Sequence, residues 1–202
     1  MATLCTKRGL KAPVGYAERS KFIKEFIKSG GGYTGALTAL KDSLSDNALT
    51  NIGIIIDAND QGPTARWQSI RAILAEKYDP ATLLAADAQT GPKIIIEAGM
   101  PTIGVWIMPD NANPGYLEHF LASLVPAGNA LWTHANDTIN DLVTKPINEL
   151  TVARKQKALL YTWLAWKKDP GKPFGLAIHS GYFNHNAPTV QPFIDWFAQT
   201  FN

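Results

Sequence analysis

Two apolar runs organise the first two-thirds of the chain. Ile52-Gly53-Ile54-Ile55-Ile56-Asp57 is rich in β-branched residues and shows no polar alternation. Gly104-Val105-Trp106-Ile107-Met108-Pro109-Asp110 repeats that texture. Runs without alternation predict strands buried on both faces, as in a sheet covered by helices. Each run ends in an aspartate that opens a loop. In an open α/β sheet the carboxyl ends of parallel strands form the ligand edge. The pattern therefore places Asp57 and Asp110 where such proteins keep their chemistry.

Between the runs the period changes to that of helices. Thr34 to Leu44 carries Leu37, Leu40 and Leu44 at helical spacing. Pro63 suits a first helical turn, and Ala65 to Tyr78 then sets Trp67, Ile70, Ile73 and Leu74 on one face. Lys93 to Glu97 reads as a short strand. Gly99-Met100-Pro101 breaks it, which predicts an antiparallel hairpin with the strand beginning at Gly104. Gly115 to Leu124 reads as a short helix. From Ala135 onward every segment reads as helical: Ile139 to Val143, Val152 to Trp166, Phe174 to His179 and Val190 to Phe201. Ala2 to Leu10 has the look of a helix end, with Lys7 and Arg8 in the last turn and Gly9 after it. The expectation is one α/β domain over 1–202, with a mostly parallel sheet in 1–125 and a helical portion in 126–202.

Composition narrows the class of function. Of the 202 residues, 46% are apolar and 18% charged, which suits a globular chain. The net charge of +2 is too mild to imply nucleic acid by itself. One cysteine, Cys5, excludes a disulfide framework and a cysteine-based zinc site. The four histidines show no ligand spacing. The N-terminus has no signal-peptide core and no run is long enough to span a bilayer, so a reducing, cytoplasmic setting without a membrane partner is expected.

The candidate chemistry lies at the strand ends. Mg²⁺ takes oxygen ligands and commonly one or two protein carboxylates. Asp57 and Asp110 are placed to supply them, or else each merely turns its loop or caps a helix. Asp60, before Gln61-Gly62-Pro63, is either a third acid or a solvated turn residue. Glu118 either reaches the site or favours its helix N-terminus electrostatically. Asn111 either orients Asp110 or turns the chain. Arg66 and Arg71 read as phosphate contacts or as a solvated helix face. His119 is a general base or a packing histidine. Gly30-Gly31-Gly32 lacks the Lys-Ser/Thr of a phosphate-binding loop, which leaves a connection.

Three groups of residues carry a resemblance. They are Ile54-Ile55-Ile56-Asp57-Ala58-Asn59 with Ala65-Arg66-Trp67, Gly104 to Asn111 with Gly115 and Glu118, and the C-terminal Lys157-Ala158, Trp163-Leu164-Ala165, Gly181-Tyr182, Phe193 and Trp196. Together they resemble a family of small bacterial TOPRIM-related proteins, distantly similar to the TOPRIM domain of OLD-type nucleases. The resemblance implies a TOPRIM-like fold and a Mg²⁺ (or Mn²⁺) site in which Asp57 is the first acid of an Asp-x-Asp motif. The second acid position is Asn59, whose neutral oxygen still suits a hard cation. The implied metal ligands are Asp57, Asn59 and Asp110, and the implied catalytic residues Asp57, Asp110 and Glu118. The implied activity is a nuclease acting on nucleic-acid phosphodiesters, in phage defence with an ATPase partner, and a homo-oligomer is compatible with it. The leading strand of such domains, with its glutamate, has no counterpart here. That departure keeps open an alternative, a non-catalytic interaction module with a degenerate acid site.

Overall fold

A computed structural model describes residues 2–8 and 31–201. The elements in chain order are α1 (Ala2–Lys7), α2 (Tyr33–Leu44), β1 (Asn51–Asp57), α3 (Gly62–Leu74), α4 (Pro80–Asp87), β2 (Lys93–Ile95), β3 (Thr102–Met108), α5 (Leu117–Ala122), α6 (Ala130–Leu142), α7 (Val152–Ala165), α8 (Phe174–His179), a 3-10 turn (Pro188–Val190) and α9 (Gln191–Phe201). Gly9, Leu10 and Gly30, which entered the reading of the N-terminal helix end and the glycine run, lie outside the described residues.

The fold is α/β around a small mixed sheet of order β1-β3-β2. β1 runs parallel to β3 and β2 antiparallel to it. The expected hairpin and the two long strands are therefore present, but the sheet is mixed rather than mostly parallel. Register keeps the aliphatic side chains of one face in rows: Ile52 beside Ile103, Ile54 beside Val105 and Ile56 beside Ile107. These rows, with Ile95, pack on Leu40 and Leu44 of α2, Trp67, Ile70 and Leu74 of α3, and Leu83 and Ala86 of α4. The opposite face of β3 presents Trp106 and Met108 to the C-terminal helices.

β3 is buried on both sides as its run predicts. β1 is not: Ile52, Ile54 and Ile56 are buried while Ile55 is 39% exposed. Among the described residues β1 is an edge strand with a neighbour on only one side, so helices laid over β3 leave part of its second face open. α4 is the helix that periodicity missed. It is short, and its start is written in capping chemistry instead. The Asp79 carboxylate accepts from the Ala81 N–H at 2.7 Å, and Pro80 sits in the first turn.

The C-terminal helices build the second core. Trp106 lies edge-on to Phe193 with ring centroids 5.1 Å apart, and to Phe120 at 6.4 Å. Trp196 adds a tilted contact with Trp106 at 5.9 Å. α1 joins this core through Leu4 and Cys5. Burial pushes the Cys5 thiol up to about 11, so it packs as an apolar residue.

α9 reaches the sheet because two glycines make room. Gly53 and Gly104 are partners across the β1–β3 pair. A Cβ on Gly104 would stand 1.9 Å from Thr200 Oγ1, and one on Gly53 would stand 2.7 Å from the Phe201 ring. The Asn51 side-chain amide donates to the Thr200 carbonyl at 2.7 Å and pins the helix end to the strand.

Gly104→Ala is therefore expected to destabilise the protein by roughly 1–3 kcal/mol through overpacking. Chemical denaturation measures it, and Thr200→Ala added to Gly104→Ala should recover part of the loss. An unchanged midpoint in Gly104→Ala would show that α9 does not seat there.

Candidate functional site

The carboxyl ends of the parallel strands are tied together by backbone before any side chain acts. The Ala58 N–H donates to the Met108 carbonyl at 3.0 Å. Asn59 and Gly115 then exchange hydrogen bonds in both directions, at 2.9 and 3.1 Å. Asn59 takes φ 53° to do so, a left-handed conformation that asparagine tolerates better than most residues. Arg66 of α3 is 5% exposed, and its Nε donates to the Ala58 carbonyl at 3.2 Å while its guanidinium lies over the Tyr33 ring. Arg66 is thus neither a solvated face nor a surface phosphate contact. It braces the loop after β1.

This scaffold opens a pocket of about 360 Å³ lined by Asp57, Asn59, Asp60, Tyr116 and Glu118 together with Arg154 and Lys157 of α7. Asp57 Oδ1 accepts from the Leu117 N–H at 2.9 Å, so the carboxylate caps the first turn of α5, sixty residues along the chain. Both readings of Asp57 meet here, since it caps a helix and also lines the pocket. Burial raises its pKa; the Leu117 N–H lowers it, and the charge of Glu118 raises it again. The net direction is upward. Glu118, in the first turn of α5, is largely buried, with Lys157 Nζ at 3.7 Å. Asp60 accepts from the Tyr116 hydroxyl at 3.3 Å.

Of the residues expected at the site, Asp57, Asn59 and Glu118 come together and Asp110 does not join them in the pocket wall. Asp110 closes its own loop, accepting from the Ala112 and Asn113 N–H groups and from the Asn113 amide at 2.7 Å. Burial alone would raise its pKa, but these hydrogen bonds outweigh burial and hold it low. Asn111 turns the chain, its side-chain oxygen accepting from the Ile107 N–H at 2.7 Å. His119 Nδ1 accepts from the Tyr116 N–H at 3.2 Å, a capping role that occupies one ring nitrogen. Arg71 pairs with Asp87, which also accepts from the Trp67 indole at 2.7 Å, and so serves the packing of α3 on α4.

Arg154 and Tyr116 escaped sequence reasoning, and Lys157 entered it only as part of a family pattern. Arg154 and Lys157 share a polar side of α7, but nothing local tells which loop that side faces. A hard cation fits the donor set to a limited extent. Among the described residues no group of three or more His, Cys, Asp or Glu side chains stands close enough to hold a metal ion. Two neighbouring carboxylates and one amide oxygen do match an ion that keeps most of its water, as Mg²⁺ commonly does.

The raised Asp57 pKa has a signed consequence. A carboxyl whose folded pKa exceeds its unfolded value favours the fold most when protonated, so its contribution falls as pH climbs from the unfolded value through the folded one. Asp57→Asn keeps an oxygen for the Leu117 N–H and discards the buried charge. In chelator it should melt higher than the wild type at neutral pH, with the gap closing toward pH 3. A lower melting temperature at pH 7 would mean that the charged cap outweighs desolvation.

Comparison with known proteins adds a family. No curated protein and no solved structure matches the chain. Among the described residues no helix is long and apolar enough to cross a membrane. One family model, described as a protein of unknown function (DUF3226), matches residues 1–202. The chain belongs to the DUF3226 family.

Proposed function

We propose that this pocket is a divalent-cation-assisted site for hydrolysis of nucleic-acid phosphodiesters. One observation carries the reading: the acids Asp57 and Glu118 and the cations Arg154 and Lys157 line one open pocket, with burial first and the Glu118 charge after it raising the Asp57 pKa. Carboxylates that crowd one another are relieved by a cation, and the cations of the same pocket suit an anionic ester. Asp57 and Glu118 would hold the ion with the Asn59 side-chain oxygen. Bound there, Mg²⁺ or Mn²⁺ would polarise a phosphate oxygen and make a bound water more acidic. Arg154 and Lys157 would orient the phosphate, and the Asn59–Gly115 bridge would hold the two loops at a fixed separation. The parallel β1–β3 pair with acids beyond its carboxyl ends supports a TOPRIM-like reading of the fold. An ATPase partner of the kind used by OLD-type nucleases belongs to the same proposal.

A second reading has its own support. The Asp110 oxygens are committed to their loop, and among the described residues no three acids stand close enough together to hold a metal ion, although Asp60 also lines the pocket. A degenerate acid site in a non-catalytic interaction module would look the same.

Calorimetric Mn²⁺ titration separates the two. The wild type should bind and Asp57→Ala should lose specific binding while keeping its circular dichroism spectrum. Asn59→Asp should tighten binding, since it adds a carboxylate where a neutral oxygen stands. Asp110→Asn should leave the affinity within about twofold, as expected of a group outside the pocket wall. Absence of binding in the wild type would reject the metal site and leave the interaction module.

A further inference from the structure

A stripe of side chains leads out of the pocket along α7. Arg154 and Lys157 line the pocket. Tyr161 follows them at the helical interval, so 154, 157 and 161 share one side of the helix. Leu159, Leu160, Trp163 and Leu164 of the same helix are buried in the core. Tyr161 is 50% exposed although it is aromatic. Its ring packs at a tilt against Phe174, with centroids 5.2 Å apart, and Lys157 Nζ stands over it 5.8 Å from its centroid. The Arg154 N–H donates to the Thr151 carbonyl, but its guanidinium makes no hydrogen bond or ion pair among the described residues. The start of α7 is also open to an anion. Thr151 supplies no side-chain cap, and the first turn holds no acid. The partial positive charge of that helix end is therefore unopposed by its own sequence.

We infer that α7 is a track for single-stranded nucleic acid, in which phosphates meet Arg154 and Lys157 and an unpaired base stacks on Tyr161. The inference rests on the phosphodiester reading of the pocket and extends it to the form of the polymer. At 1.5 Å per residue, Arg154 and Tyr161 lie roughly 10 Å apart along the axis, so phosphate and base are engaged at separate places on one strand. Every base offers a π-face, which makes such a platform tolerant of sequence. A duplex keeps its bases stacked on one another and can use only the cations. An acidic peptide could also use the cations, but it would leave the exposed ring without a stacking partner.

The test is fluorescence anisotropy with a labelled 20-mer oligo-dT and with the same strand in a duplex with oligo-dA, both in chelator. The wild type should prefer the single strand. Tyr161→Ala should weaken that binding about tenfold through loss of the stacked base, while Tyr161→Phe stays within about twofold because its ring remains. Arg154→Ala with Lys157→Ala should flatten the dependence of log K on log salt by about 1.4, the share of two single-strand phosphates. Equal affinity for duplex and single strand, or a Tyr161→Ala variant that binds as the wild type does, overturns the track. So does a wild type that binds neither. Mn²⁺ titration of Tyr161→Ala distinguishes the two failures. Intact metal binding with no role for Tyr161 rejects the track alone, whereas ring-dependent strand binding without metal binding rejects the hydrolytic site alone.

Discussion

The seating of Trp106 governs the architecture beyond β3. Its indole projects from the central strand onto Phe193 and Trp196 of α9 and Phe120 of α5, which makes one aromatic contact surface common to the sheet and two helices. Large aromatic side chains bury the most apolar area per residue and prefer such edge and tilted contacts. Because α5 is held there, the Leu117 N–H is presented to Asp57, and Glu118 of the same turn reaches the pocket. The glycines at 53 and 104 complete this arrangement by removing side chains that would lift α9 off the strands. The position of the candidate acids is thus a consequence of core packing several residues away.

Much of this fold was legible because its signals are local. β1, β3, the β2–β3 hairpin, α2, α3, α7, α8 and α9 follow from apolar period and from proline and glycine placement. α4 was lost because its eight residues carry almost no amphipathic period, and Asp79-Pro80 was the signal available. The half-open face of β1 could not be read from Ile52 to Ile56, since whether an isoleucine is covered depends on strand order and not on its neighbours in sequence. A strand of isoleucines at a sheet edge and one at its centre have the same text.

The site divides along the same line. Asp57 was legible because it ends an apolar strand and Glu118 because it lies in the first turn after the second loop, whereas Asn59 entered only through the family resemblance. Asp110 satisfied the same rule and yet turned its carboxylate into its own loop, where Ala112 and Asn113 offer three donors. A strand-end aspartate with donors two and three residues ahead can always take that option, and nothing in the strand itself tells which will win. Arg154 and Lys157 arrive from about a hundred residues further on, through the packing of α7 against α5, so no local pattern announces them.

Asp57 is where local stability and the arrangement of the pocket disagree. As a cap for α5 it needs only an oxygen, which asparagine or serine supplies without a charge to desolvate. The sequence instead keeps a carboxylate beside Glu118, half withdrawn from water and with its pKa driven up. The charges of Arg66 and His119 lower it without reversing the shift, and the Arg66 Nε is itself committed to the Ala58 carbonyl. Lys157 stands nearer to Glu118, but at 3.7 Å and partly in solvent it offsets little of the crowding. A fold optimised for stability alone would remove the charge at Asp57. A buried carboxylate kept where a neutral cap would serve is the kind of local departure that clusters at functional sites.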